Sequence, residues 1–151
     1  VDPAPRDLVD LPRDPELGLP VPFMCGTEGF GGARDGSPPT LRRLDGRRVT
    51  QCALSRVCGV CGSTLGRPVA FVGTEIEQAR NAFHAAPLHV ACADSLRGWL
   101  DGLDGPLIGQ DAADVAASAW VTVTTSGFEF VRASSEDLDR RPTFQPNSLS
   151  T

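Results

Sequence analysis

Two short pairs of residues limit what this chain can fold into: Cys58 and Cys61 in Cys-Gly-Val-Cys-Gly, and His89 and Cys92 in Leu-His-Val-Ala-Cys. Three sulfurs and one imidazole complete a tetrahedral set for zinc, so both pairs must meet in space to form it. Gly59 and Gly62 follow the two sulfurs of the first pair, as a tight knuckle needs where amides turn toward sulfur. His89 and Cys92 open an apolar-periodic run through Leu96, Trp99, Leu100 and Leu103. Positions i and i+3 share a helix face, so both side chains can point at one metal. A knuckle, a short hairpin and a helix whose first turn supplies the last two ligands make a treble-clef arrangement. A site filled by four protein ligands has no open position, which makes the metal structural. A redox CxxC would open a helix after a strand; here Leu65-Gly66-Arg67-Pro68 signals a turn instead.

At 151 residues and 40% hydrophobic, the chain has room for one ordinary domain with a modest core. No apolar run reaches the ~18 residues of a membrane span. The first residues carry prolines and aspartates where a signal peptide has a basic start and an apolar stretch. Five cysteines without that leader fit metal binding in a reducing compartment, so the cytoplasm is the expected location. All fourteen basic residues are arginine, beside abundant Ala, Gly and Asp, which marks a GC-rich coding bias. With no lysine, the run 26–32 (Gly-Thr-Glu-Gly-Phe-Gly-Gly) is a loop and not a phosphate-cradling P-loop. A net charge of −5 disfavours a dedicated nucleic-acid binder. Residues 34–67 nevertheless hold seven arginines against Asp35 and Asp45, and residues 68–139 hold three against eleven acids. Arg42, Arg43, Arg47 and Arg48 therefore form a candidate basic face, expected to pair with the acidic later half.

The pattern divides the chain into a Pro-rich extended arm over 1–22, a single zinc-stabilised domain over 23–133 and a polar, flexible tail over 134–151. The apolar end of the arm, 19–24, is expected to dock as an edge strand. Val49, Cys52, Ala53 and Val57 predict a helix over 47–57. Segments 63–65 and 69–72 predict the two arms of the treble-clef hairpin. Thr74 and Glu77 form a capping box that opens a helix over 75–84. The ligand helix is predicted from His89 to about Leu103, and 104–114 as a polar loop. Residues 120–125 alternate like a strand, Ser126-Gly127 turns, and 128–131 returns as its partner, an added C-terminal β-hairpin. The fold class is thus α+β.

From Cys58 to about Ala93 the chain resembles a family of small uncharacterised zinc-knuckle proteins of actinobacteria and their phages. The shared pattern is Cys-x-x-Cys-Gly-x-x-Leu-Gly, an apolar Phe-Val strand, and Pro-x-His-x-x-Cys-Ala. Cys58, Cys61, Gly62, Leu65, Gly66, Phe71, Val72, Pro87, His89, Cys92 and Ala93 carry it. Gly-Leu-Pro-Val-Pro at 18–22 and Trp120-Val121-Thr122 extend the resemblance. Arg97-Gly98-Trp99-Leu100 departs from the family's Cys-Pro-Phe-Leu-like segment, and the tail also differs. The resemblance implies the metal site and no particular activity.

The known zinc chemistries lack their residues here. Nucleobase deaminases need His-x-Glu and zinc proteases need HExxH, and His84 and His89 are the only histidines. A treble-clef nuclease needs a general-base histidine on the hairpin, where 69–73 has none. What remains is an accessory or interaction module with a structural zinc, binding a protein partner or a small ligand. The alternative is a small enzyme whose pocket lies between segments 23–36 and 74–88, with Cys25 and His84 as catalytic candidates and Glu28, Arg80 and Asn81 as ligand-binding ones. A third reading is an Arg-mediated nucleic-acid contact.

Overall fold

A computed structural model describes residues 11–25, 40–134, 136 and 141–147. Its elements, in chain order, are α1 (Gly46–Ser55), β1 (Val69–Thr74), α2 (Glu75–Arg80), α3 (Val90–Leu100), α4 (Ala112–Ala117), β2 (Trp120–Thr125), β3 (Phe128–Val131) and β4 (Thr143–Pro146). Strand β1 is the centre, and all six of its residues are buried. Its Val-Ala-Phe-Val run suits a strand covered on both faces. One edge pairs antiparallel with β2, from Val69 opposite Thr125 to Thr74 opposite Trp120. On the other side, Ala70 and Leu88 exchange backbone hydrogen bonds of 2.8 Å, which sets the residue before His89 against β1.

Local signals fix the helices. Asp45 caps α1 by accepting from the Arg47 and Arg48 amides at 3.0 and 3.3 Å. Arg56, left-handed at φ 51°, ends that helix, and Val49 and Cys52 are its buried face. The capping box forms as the sequence predicts: the Glu77 amide donates to Thr74 Oγ1, and Glu77 Oε1 accepts from the Thr74 amide. Asn81, left-handed at φ 53°, stops α2 well short of the predicted residue 84. The buried Glu77 carboxylate then accepts the His84 amide at 2.9 Å, so the segment after the helix is held by side chain instead of by helix. In α3, Leu96 and Leu100 are buried and Trp99 is half-buried against the core. The polar loop expected over 104–114 contains fully buried Leu107 and Ile108, and the Ile108 amide donates to Leu41 O.

The sheet pairing differs from the sequence reading in two places. Segment 69–72 does not pair with 63–65, because β1 takes β2 as its partner and the bridge from Thr64 goes back to Val57. Nor do 120–125 and 128–131 form a hairpin. At the bend between them, Thr125 Oγ1 donates to Gly127 O and accepts from the Gly127 amide, and β3 leaves to pair with β4. The flexible tail expected over 134–151 therefore contains a strand. The physical reason is aromatic: Phe144 on β4 is fully buried and its ring lies 5.0–5.7 Å from Phe71, Phe128 and Phe130. Phe83 joins them, stacked on Phe71 at 5.7 Å and exchanging backbone hydrogen bonds with Phe144. Such ring pairs add to simple burial.

Residues 11–22 are not an extended arm either. The chain doubles back, with Asp14 N donating to Leu19 O and Val21 N to Pro12 O. Asp14 is the anchor: its buried carboxylate accepts from the Glu16, Leu17 and Leu41 amides and the Thr40 hydroxyl. Among the described residues, no helix is long and apolar enough to cross a membrane.

Two outcomes follow from this packing. Phe144→Ala is expected to cost about 3–5 kcal/mol, read as a lower midpoint in denaturant with the slope unchanged. Asp14 makes stability depend on acid. Burial opposes its ionisation, but the hydrogen bonds from Leu41, Leu17, Thr40 and Glu16 outweigh it and hold its carboxyl below the ordinary aspartate value of 3.8. A folded value below the unfolded one stabilises the protein above pH 3.8, and that contribution is lost as pH falls through the folded value. The advantage of the native protein over Asp14→Asn should therefore be full near neutrality and shrink in acid, as measured by denaturant melts across pH.

Candidate metal centre

The knuckle begins where α1 ends. The Leu65 amide donates to Arg56 O at 2.9 Å and the Cys58 amide to Ser63 O at 2.8 Å, which closes a tight loop around 58–63. Gly62, at φ 76°, turns the chain where a side chain would strain it and would also meet the Phe23 ring. Gly59 is needed for space. A Cβ there would stand 2.8 Å from Met24 Sδ and 3.1 Å from Ala86 Cβ. Two segments grip this loop. The Phe23 amide donates to Val60 O, the Met24 amide to Gly59 O, and the Gly59 amide to Pro87 O, at 2.9, 2.7 and 2.8 Å.

The second pair arrives from α3. His89 is the N-cap residue and Cys92 lies in the first turn, which the Ala93 amide closes by donating to His89 O at 2.9 Å. Cys58, Cys61, His89 and Cys92 are all buried, and their ligand atoms lie within 4.8 Å of one another, close enough to hold a metal ion. His89 Nδ1 stands 3.4 Å from Cys61 Sγ and 3.8 Å from Cys92 Sγ. Ordinary zinc–sulfur and zinc–nitrogen bonds at tetrahedral angles put such atoms about 3.6 Å apart. All five cysteines are free thiols, so no disulfide competes for these sulfurs.

The surroundings suit a cation. His89 Nε2 lies 2.9 Å from Thr64 O; a carbonyl only accepts, so Nε2 carries the proton and Nδ1 turns its lone pair to the sulfurs. The Val60 and His89 amides both donate to Cys58 Sγ, at 3.3 and 3.4 Å. Those amides ease the excess negative charge that three thiolates bring to a dication. Taken alone, burial pushes the Cys58 thiol up, with its neighbour Cys92 adding to the effect and Cys61 opposing it. The donor set fits a metal that prefers sulfur and imidazole, and all four positions come from protein.

The other candidate residues are dispersed. Cys25 is fully buried, with Sγ 4.0 Å from Leu41 O, and burial pushes its thiol far above the range of a nucleophile. Cys52 is buried on α1 and its thiol is pushed up in the same way. Glu28 and most of segment 23–36 lie outside the described residues. Asn81 uses its side-chain amide on Pro146 O, at 3.0 Å. Arg80 and His84 do line a common cavity, but its other wall comes from 131–133 and 141–143, which the sequence reading had not placed there. The basic face is partly engaged in structure. Arg42 pairs with Glu16, which raises its pKa, and donates to the Asp104 and Pro106 carbonyls. Its acidic partner thus comes from the N-terminal segment and not from the later half. Arg48 lies over the Phe23 ring at 5.1 Å and donates to Phe23 O, and Arg43 and Arg47, exposed as it is, also have partners. Sequence reasoning missed the Thr64 carbonyl and the Pro87 carbonyl, since backbone groups leave no mark in a residue pattern.

Comparison with family models, with curated proteins and with solved structures yields no match.

The crowding at Gly59 is directly testable. Gly59→Ala should lower stability by about 1–3 kcal/mol and, because Met24 and Ala86 must move, weaken metal retention in a chelator competition. A variant as stable and as metal-retentive as the native protein would show that the knuckle is less tightly held than described.

Proposed function

We propose that the protein is a zinc-stabilised interaction module in which Cys58, Cys61, His89 and Cys92 hold one structural Zn2+. The observation that carries this reading is the closed, buried donor set, with the His89 tautomer fixed by Thr64 O. When bound, the ion neutralises the thiolates and ties the knuckle to α3; it has no position left for a substrate. The work of the module then falls to its surface, as binding of a protein partner or a small ligand. The burial of Cys25 speaks against the small-enzyme alternative in its Cys25–His84 form.

The arrangement is treble-clef-like in its two ends. A knuckle whose arms meet at Val57 and Thr64 supplies the first pair, and the first turn of α3 supplies the second. Between them the chain forms β1 and α2, with β1 paired to β2 in place of a local hairpin. The likeness to the actinobacterial and phage proteins rests on that same cysteine pattern.

Metal analysis of freshly purified protein should give about one zinc per chain, and Co2+ substitution should give the ligand-field spectrum of a tetrahedral thiolate site. Cys61→Ala and Cys92→Ala should lose the metal together with the cooperative melt, since structural zinc in small domains contributes about 10 kcal/mol or more. Unchanged melting in both variants, or metal well under one equivalent, would overturn the structural-zinc reading.

A further inference from the structure

A second convergence of charged side chains lies where the end of α2 meets the far end of the β3–β4 pair. Arg80, His84, Arg132, Arg141 and Thr143 line a cavity of about 180 Å³, and none of the metal-centre residues takes part in it. The fold builds this cavity from distant segments. Asn81, left-handed, turns the chain out of α2 so that Phe83 runs beside Phe144, each donating its amide to the other's carbonyl. The β3–β4 register places Val131 opposite Thr143, so Arg132 and Arg141 emerge together just past the paired ends. Arg80, in the last turn of α2, completes the set.

Three guanidinium groups therefore share one small cavity, and among the described residues no carboxylate lines it. Neither Arg80 nor Arg132 forms an ion pair among the described residues. Several of these side chains are held in place. Arg141 donates through Nη1 to Gly109 O, and Arg132 lies 5.9 Å from the centre of the Phe130 ring. His84 is fixed twice, by its amide to Glu77 Oε2 and by Nδ1 3.2 Å from Pro142 O, which as a carbonyl can only accept. Arg80 and Arg132, brought to one cavity without an ion pair among the described residues, repel one another, and an anion with several oxygens relieves that repulsion while accepting the planar guanidinium forks. The volume is below the ~300 Å³ at which pockets enclose a drug-sized molecule, so the cavity suits one anionic group.

We propose that this cavity is an oxyanion site that binds phosphate, as the free ion or as the terminal group of a small phosphomonoester. Arg80, Arg132 and Arg141 supply the charge and the forked donors, with the Thr143 side chain and His84 on the cavity wall. The site shares no residue with the metal centre.

The test is calorimetric titration of the protein as purified, with inorganic phosphate in one arm and glycerol 3-phosphate in the other. Chloride holds the ionic strength constant in both. Saturable one-site binding is expected, weakened about tenfold or more by Arg80→Gln or Arg132→Gln, the loss of one charge-assisted contact. Both arginines are exposed, so metal content and melting should be unchanged in these variants. Tighter binding of the ester identifies a terminal phosphate as the ligand, and equal or tighter binding of phosphate identifies the free ion. Heats no different from the chloride control in both arms, or binding undiminished in the double variant, would overturn the proposal.

Discussion

The knuckle at residues 58–61 belongs to no sheet, so its backbone groups must find partners elsewhere. Phe23 and Met24 supply amides to Val60 and Gly59, and Pro87 supplies a carbonyl to Gly59. Each of these contacts brings a remote segment to the same place. The N-terminal segment closes one side of the knuckle, and the residues that lead into α3 close another. Because Leu88 also pairs with Ala70, the position of His89 is set by β1 as much as by its own helix. The metal centre is therefore the meeting point of the N-terminal segment, the knuckle, the central strand and the ligand helix, and a shift in any of them moves a ligand.

The two arginine-rich regions show how differently one residue type is used. Around Arg42 and Arg48 the guanidinium groups act as clamps on backbone carbonyls, on Glu16 and on an aromatic face, holding the N-terminal segment to the body of the domain. Around Arg80, Arg132 and Arg141 they face a shared cavity instead. Composition alone cannot separate these uses, since a guanidinium that spans a loop and one that lines a cavity leave the same letter in the sequence.

What could be read from the sequence was mostly local. The spacing of Cys58, Cys61, His89 and Cys92 brought the right four residues together, because ligand geometry is written in short intervals. Thr74 marked a helix start for the same reason, acting on an amide three residues away, whereas the Asp45 cap was seen only in the structure. The strand partners could not be read this way. Residues 120–125 and 128–131 look like a hairpin to any rule that sees only neighbours, yet β2 pairs with β1, far back in the chain, and β3 with β4, across the next loop. Residues 143–146 look polar because their one large apolar residue, Phe144, sits between Thr and Gln, and only the other phenylalanines show what it is for. The cavity beside His84 was half legible: Arg80 and His84 are near in sequence, but Arg132 and Arg141 reach them only through the β3–β4 pairing.

That late pairing also orders events in time. Strand β4 is the last element among the described residues, and the aromatic cluster lacks Phe144 until β4 arrives. On a ribosome, residues 58–92 emerge well before 143–146, so Cys58, Cys61, His89 and Cys92 can gather while the aromatic end of the molecule is still open. The β3–β4 loop is short, but bringing Phe144 back to Phe83 and Phe71 closes a long one, and that loss of chain freedom comes before the contact rewards it. Until β4 arrives, β3 is an unpaired strand with Phe128 and Phe130 beside it, a surface prone to wrong partners. Early gathering of the Cys and His side chains at one end and late strand closure at the other would give the nascent chain a half-finished core to close upon.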